Sequence, residues 1–186
     1  MDRGAVVRIL VVGGAISTLL SGCNSGSRGE AQPSSSTVST TQESVLPTGF
    51  DGCTLPQSVI DTEDLKNPKK DDKWTTGRNK WVGCGWIQSG GYGASITVST
   101  ITIQQVIENP DVKIGEELTI DGRRSITHYK PAQDGKWCDI NVEMKNGSME
   151  ISIGNQPNRE KSGHRHPCDI AKDLARMLAP TIQSGS

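Results

Sequence analysis

The chain is poor in aromatic residues and histidine, and it carries no surplus of either charge. Of 186 residues, one is Phe, two are Tyr, four are Trp and three are His. Twenty Lys and Arg stand against 21 Asp and Glu, for a formal net charge of −1. From Pro47 onward the count is 17 to 18. No basic face is therefore expected, which argues against a nucleic-acid partner. The longest apolar run, Ile9 to Leu20, falls short of the ~20 residues a membrane-spanning helix needs. No Gly-x-Ser-x-Gly elbow and no His-Glu-x-x-His pair occurs, and the Gly-rich stretch Gln88 to Gly93 lacks the Gly-Lys-Ser/Thr ending of a phosphate loop. These absences set the expectation of a non-enzymatic domain without cofactor or metal.

What is present begins with a secretory pattern. Arg3 and Arg8 precede the apolar run, and small residues follow it. Leu20-Ser21-Gly22-Cys23 resembles the bacterial lipobox. The resemblance implies cleavage before Cys23, whose thiol would take the lipid, so that residues 1–22 are a lipoprotein signal peptide. Two or more acyl chains hold a protein stably on a membrane. The expected location is the outer face of the cytoplasmic membrane. Residues 23–47 read as the lipidated Cys and a Ser/Thr-rich tether, because this composition buries too little apolar surface to order itself.

Residues 48–183 suit one α+β domain. With Cys23 set aside, Cys53, Cys84, Cys138 and Cys168 remain, an even number that suggests two disulfides in an oxidising compartment. Thr54 and Pro56 suit the start of a helix carrying Leu55, Val59 and Ile60 and ending near Leu65. Lys69 to Lys73 reads as a solvated loop. Trp81 to Trp86 and Ala94 to Ser99 alternate with the period of strands, and Gln88 to Gly93 reads as their connection. Ile103 to Glu108 predicts a short helix stopped by Asn109-Pro110.

Two hairpins follow. Asp121-Gly122 and Asn146-Gly147 both suit the centre of a type I′ turn. Cys138, Ile140, Val142 and Met144 share one face, while Asp139, Asn141 and Glu143 point to the other. That pattern predicts an antiparallel sheet covered on one side and wet on the other. Cys168, Ala171, Leu174, Ala175, Leu178 and Ile182 form the apolar stripe of a closing helix from about Pro167 to Ile182. The N- and C-terminal helices are thus expected together on one sheet face. Three cysteine pairings are open. The placement of the elements favours Cys53–Cys84 and Cys138–Cys168, each tying a helix to the sheet; the alternative pairing of Cys53 with Cys168 would join the ends of the domain.

Cys53-x-Leu55-Pro56, Cys84-x-Trp86, Cys138-x-Ile140-x-Val142 and Cys168-x-x-Ala171-x-x-Leu174-Ala175 together resemble a family of actinobacterial secreted lipoproteins known as a domain of unknown function. The resemblance spans roughly Phe50 to Ile182. It implies an α+β fold and surface anchoring, and it lends no catalytic residues.

Candidate sites are few. Trp86 and Trp137 on the sheet are candidates for a ligand platform. Arg159, Lys161 and Arg165 precede a helix N-terminus, where backbone N–H groups favour anions such as an envelope lipid headgroup. His164, His166 and Cys168 have the chemistry of zinc ligands, but a cysteine held in a disulfide cannot serve. A hydrolase would bring His128 to a serine and a carboxylate. A structural lipoprotein without a small ligand would show a flat, closed surface. The leading expectation is a binding or interaction module of the cell envelope, with the membrane as partner through its lipid.

Overall fold

The structure, a computed structural model, describes residues 45–74 and 79–185, with Trp74 described in its backbone only. The expected signal peptide, Cys23 and the expected tether up to residue 44 lie outside the described residues. The elements run α1 (Gln57–Glu63), β1 (Leu65–Lys70), β2 (Lys73–Trp74), β3 (Lys80–Gln88), β4 (Gly93–Ser99), α2 (Ile103–Ile107), β5 (Lys113–Ile120), β6 (Arg123–Tyr129), β7 (Trp137–Met144), β8 (Gly147–Gly154) and α3 (Pro167–Leu178), with short 3-10 turns at Pro131–Gln133 and Ala179–Thr181. The sheet is antiparallel with strand order β1-β3-β4-β8-β7-β6-β5, and β2 pairs with β3 beyond the end of β1.

Side-chain alternation assigns the two faces. Val82, Cys84 and Trp86 of β3 lie in register with Val98, Ile96 and Ala94 of β4, and these with Met149, Ile151 and Ile153 of β8. Cys138, Ile140 and Val142 of β7 continue the row. α3 covers this face with Ile170, Ala171, Leu174, Ala175 and Leu178, all fully buried. α1 adds Val59, and the turn before it adds Leu55. Both expected disulfides are present, Cys53–Cys84 and Cys138–Cys168. Each ties a helix-bearing segment to a strand of the sheet. A partly buried polar relay supports the same side. Tyr92 donates to Glu63 at 2.8 Å, and Arg165, which holds Asp173 of α3 at 3.0 Å, stands 3.7 Å from that carboxylate. Burial and the Glu63 carboxylate push the Tyr92 hydroxyl far above its ordinary pKa.

Several local expectations need correction. Thr54 does not cap α1: its hydroxyl donates to Asp51, and Pro56 holds the cap position without a side-chain bond. Lys69 to Lys73 is not a solvated loop but the edge of the sheet, where β1 and β2 flank a break at Asp71-Asp72. Lysines and Pro68 suit an exposed edge because they resist further strand pairing. The β7–β8 turn centres on Lys145-Asn146, since Met144 pairs with Gly147. Only Asn146 has positive φ there (68°), whereas Asp121 and Gly122 both do (49° and 73°). Gly147 serves close packing instead: a Cβ there would lie 1.9 Å from the Ser99 carbonyl oxygen. The closing helix stops at Leu178 and passes into the 3-10 turn.

Candidate functional site

The second face of the sheet is polar in sequence yet only partly wet. The segment from Ile101 to Val112 crosses one end of it. Thr102 and Gln105 form a capping box that starts α2. Ile103 and Val106 then pack on Ile126, with Ile101 and Val112 beside them. Ser148 donates to the Ile101 carbonyl at 2.7 Å and fixes the start of this cover. Asn141 and Ser148 are fully buried beneath it, and Thr97 nearly so.

Next to the cover is a cavity of about 550 Å³. Its apolar wall is Ile101, Val106, Val112 and the indole of Trp81; its polar floor includes Thr97, His128, Asp139 and Glu150; Lys73 and Lys130 stand among its lining residues. That volume lies within the range of small-molecule sites. The floor residues follow from register. Asp139 faces His128 across β6–β7, and Asn141 faces Glu150 across β7–β8.

The hydrogen bonds converge on the two carboxylates. Trp81 Nε1 donates to Glu150 Oε2 at 3.0 Å and Asn141 Nδ2 donates to the same oxygen at 3.1 Å. Trp137 Nε1 donates to Asp139 Oδ1 at 3.1 Å and to Ser152 Oγ at 2.8 Å. Ser152 also donates to Asp139 Oδ1. Burial, then the neighbouring Asp139, raises the Glu150 carboxyl above its ordinary value; Trp81, Asn141 and His128 act in the opposite direction.

The residues singled out in the sequence divide. Trp137 lies on this face, 38 % exposed. Its ring rests on Gly154, where a Cβ would come within 2.6 Å of the ring. Together with Gly85, Gly93 and Arg159 it lines a second, shallower depression that shares Ser95 with the first. Trp86 belongs to the core instead: it is 5 % exposed and gives its indole N–H to the Gly52 carbonyl. Arg159, Lys161 and Arg165 do not converge. Lys161 pairs with Asp64 at 2.6 Å and Arg165 with Asp173. His166 spends Nδ1 on the N–H of Cys168 at the start of α3, and Cys168 is in a disulfide. Among the described residues no group of three or more His, Cys, Asp or Glu has the arrangement of a metal site.

His128 has an acid neighbour, Asp139, 3.8 Å from Nδ1. Its Nε2 is bonded to Asn141 rather than to a serine. The serines of this face, Ser95, Ser148 and Ser152, donate to Asp71, to the Ile101 carbonyl and to Asp139. The arrangement therefore has the parts of a binding floor and lacks a histidine-activated hydroxyl.

Sequence reasoning missed Trp81, Asn141 and Glu150 as site residues. The signal that bears on them is Ile126, an apolar residue whose partner across the sheet is Asn141 of the polar face.

A family model described as a protein of unknown function, DUF3558, matches residues 18–181. No curated protein and no solved structure matches the chain.

Proposed function

We propose, for a chain that belongs to the DUF3558 family, the role of a lipid-anchored, extracytoplasmic binding module that holds a small ligand on the open face of its sheet. The observation that carries this reading is the cavity itself. It has an apolar wall and preoriented carboxylates, and the indole of Trp81 in that wall is pinned by its own N–H bond to Glu150. Aromatic rings fixed beside convergent polar groups favour binding because little ordering is left to do. A flat, closed surface would have favoured a purely structural lipoprotein. The two disulfides suit an oxidising compartment outside the cytoplasm. The family match begins at residue 18, so Leu20-Ser21-Gly22-Cys23 falls within it, and the lipobox resemblance supports anchoring through Cys23 at the outer face of the cytoplasmic membrane.

The test is native purification followed by mass spectrometry of co-purifying small molecules. The wild type should retain a molecule that Ser95→Trp, which fills the cavity from its floor, does not. A molecule retained equally by both, or none in either, rejects the reading. Assays on ester, amide and phosphoester substrates should show no turnover; turnover abolished by His128→Ala would establish the competing hydrolase reading instead.

A further inference from the structure

The hydrogen-bonding groups at the floor of the cavity are unequally spent. The donors that reach the two carboxylates are used within the protein. Trp81 and Asn141 give theirs to Glu150 Oε2, Trp137 and Ser152 to Asp139 Oδ1, and Asn141 its second N–H to Ser148 at 2.8 Å. Glu150 Oε1, Asp139 Oδ2 and His128 Nδ1 make no hydrogen bond with any described residue.

The histidine is the most informative of these. Both hydrogens of the Asn141 amide are committed, so its oxygen accepts from His128 Nε2 at 2.8 Å. In the neutral ring Nδ1 then carries a lone pair. His128 is 8 % exposed, and Nδ1 is buried without a partner. It lies 3.8 Å from Asp139 Oδ2. With the ring neutral, two acceptors face each other with no hydrogen between them, and an unpaired buried acceptor is costly. A ligand that completes this floor has to supply hydrogens. A hydroxyl brings one hydrogen together with lone pairs of its own, whereas a primary ammonium brings three hydrogens and no lone pair.

The surrounding charges point the same way. Asp139 on β7 and Glu150 on β8 face the cavity, and Asp71, between β1 and β2, accepts from Ser95 of its lining. Of the nearby cations, Lys73 is held by Asp71 at 3.3 Å and Lys130 is exposed at the end of β6. We propose that the cavity binds a primary amine as its ammonium ion, with the head group among Asp139, Glu150 and His128 and a compact apolar body against Trp81, Ile101 and Val106. The proposal rests on the reading of this cavity as a ligand site.

The probes are phenethylamine, phenethyl alcohol and phenylacetate, which share one apolar body and differ in head group. Each is titrated into the full-length chain in detergent while the indole N–H resonance of Trp81 is followed, with Trp81→Phe identifying the signal. Phenethylamine should move it saturably, and the alcohol and the acid should bind at least tenfold more weakly. Glu150→Gln should weaken phenethylamine tenfold or more with thermal stability retained. Asp139→Asn, a second variant in case the first folds poorly, should do the same. If the alcohol or the acid binds as tightly as the amine, or if both variants keep wild-type affinity, the ammonium proposal is overturned while the cavity stands as a ligand site. If none of the probes moves the resonance, both readings fail.

Discussion

The indole N–H of Trp81 on β3 lies 3.0 Å from Oε2 of Glu150, two strands away on β8. The ring therefore passes over β4 and locks three strands together on the polar face. The same bond opposes the burial that disfavours the charged form of Glu150.

Glu150→Gln should change the pH dependence of stability. Folding raises the Glu150 pKa, so the native state keeps a proton that the unfolded chain releases. Stability linked to this group is complete below the ordinary value of 4.5 and is lost as pH rises through the native value. Urea unfolding at pH values from about 4 to about 8 should show the wild type losing ground to the variant, which carries no such proton. Parallel curves for the two proteins would contradict this.

Gly52→Ala should be severe. A Cβ at this position would sit 1.9 Å from the Ile96 carbonyl oxygen. The turn from Asp51 to Thr54 would have to lift off β4, breaking the 2.8 Å bond from Trp86 to the Gly52 carbonyl beside Cys53. A loss of about 3 kcal/mol or more is expected in denaturant titration, since overpacking and a broken buried hydrogen bond act together. A change below about 0.5 kcal/mol, the size of an ordinary surface substitution, would show that the turn is free to move.

Removing either bridge should cost about 3–4 kcal/mol by the loop-closure model, because the sequence separations of 31 and 30 are nearly equal. The paired variants Cys53→Ala/Cys84→Ala and Cys138→Ala/Cys168→Ala should therefore show similar losses in urea midpoint. Non-reducing peptide mapping should join Cys53 to Cys84; a peptide joining Cys84 to Cys138 would refute the framework.

Cys23→Ala should move the protein out of the detergent phase or leave an uncleaved precursor, as intact mass would reveal. A variant that partitions and is processed like the wild type would exclude lipidation at Cys23.

The apolar half of the fold was legible because its signals are local and redundant. Ile140, Val142, Met149 and Ile151 alternate cleanly, Asp121-Gly122 has the turn chemistry its conformation requires, and the stripe from Cys168 to Leu178 repeats at helical spacing. The site was less legible. Asn141, Ser148 and Glu150 carry the polarity of solvent-facing residues, and only the path of Ile101 to Val112 over them makes them a floor. That path is a long-range packing outcome, driven by Ile103 and Val106 finding Ile126, and no period in β7 or β8 encodes it. The edge strand was hidden for a related reason. Lys66, Lys69 and Lys70 show no alternation because an outer strand gains its order from backbone pairing with β3 and buries almost no side chain.

The position of the Cys53–Cys84 bridge has a mechanical meaning for a domain loaded through its N-terminal side. Such a pull would run along Val45 to Phe50, where Gln183 donates to the Gly49 carbonyl. Three residues after Phe50 the chain is bonded covalently to β3, an inner strand. Tension arriving there is handed to the interior of the sheet, where neighbouring strands resist together, and α1 and β1 lie behind the clamp, shielded from it. With the bridge reduced, the same tension would unzip that edge one residue at a time.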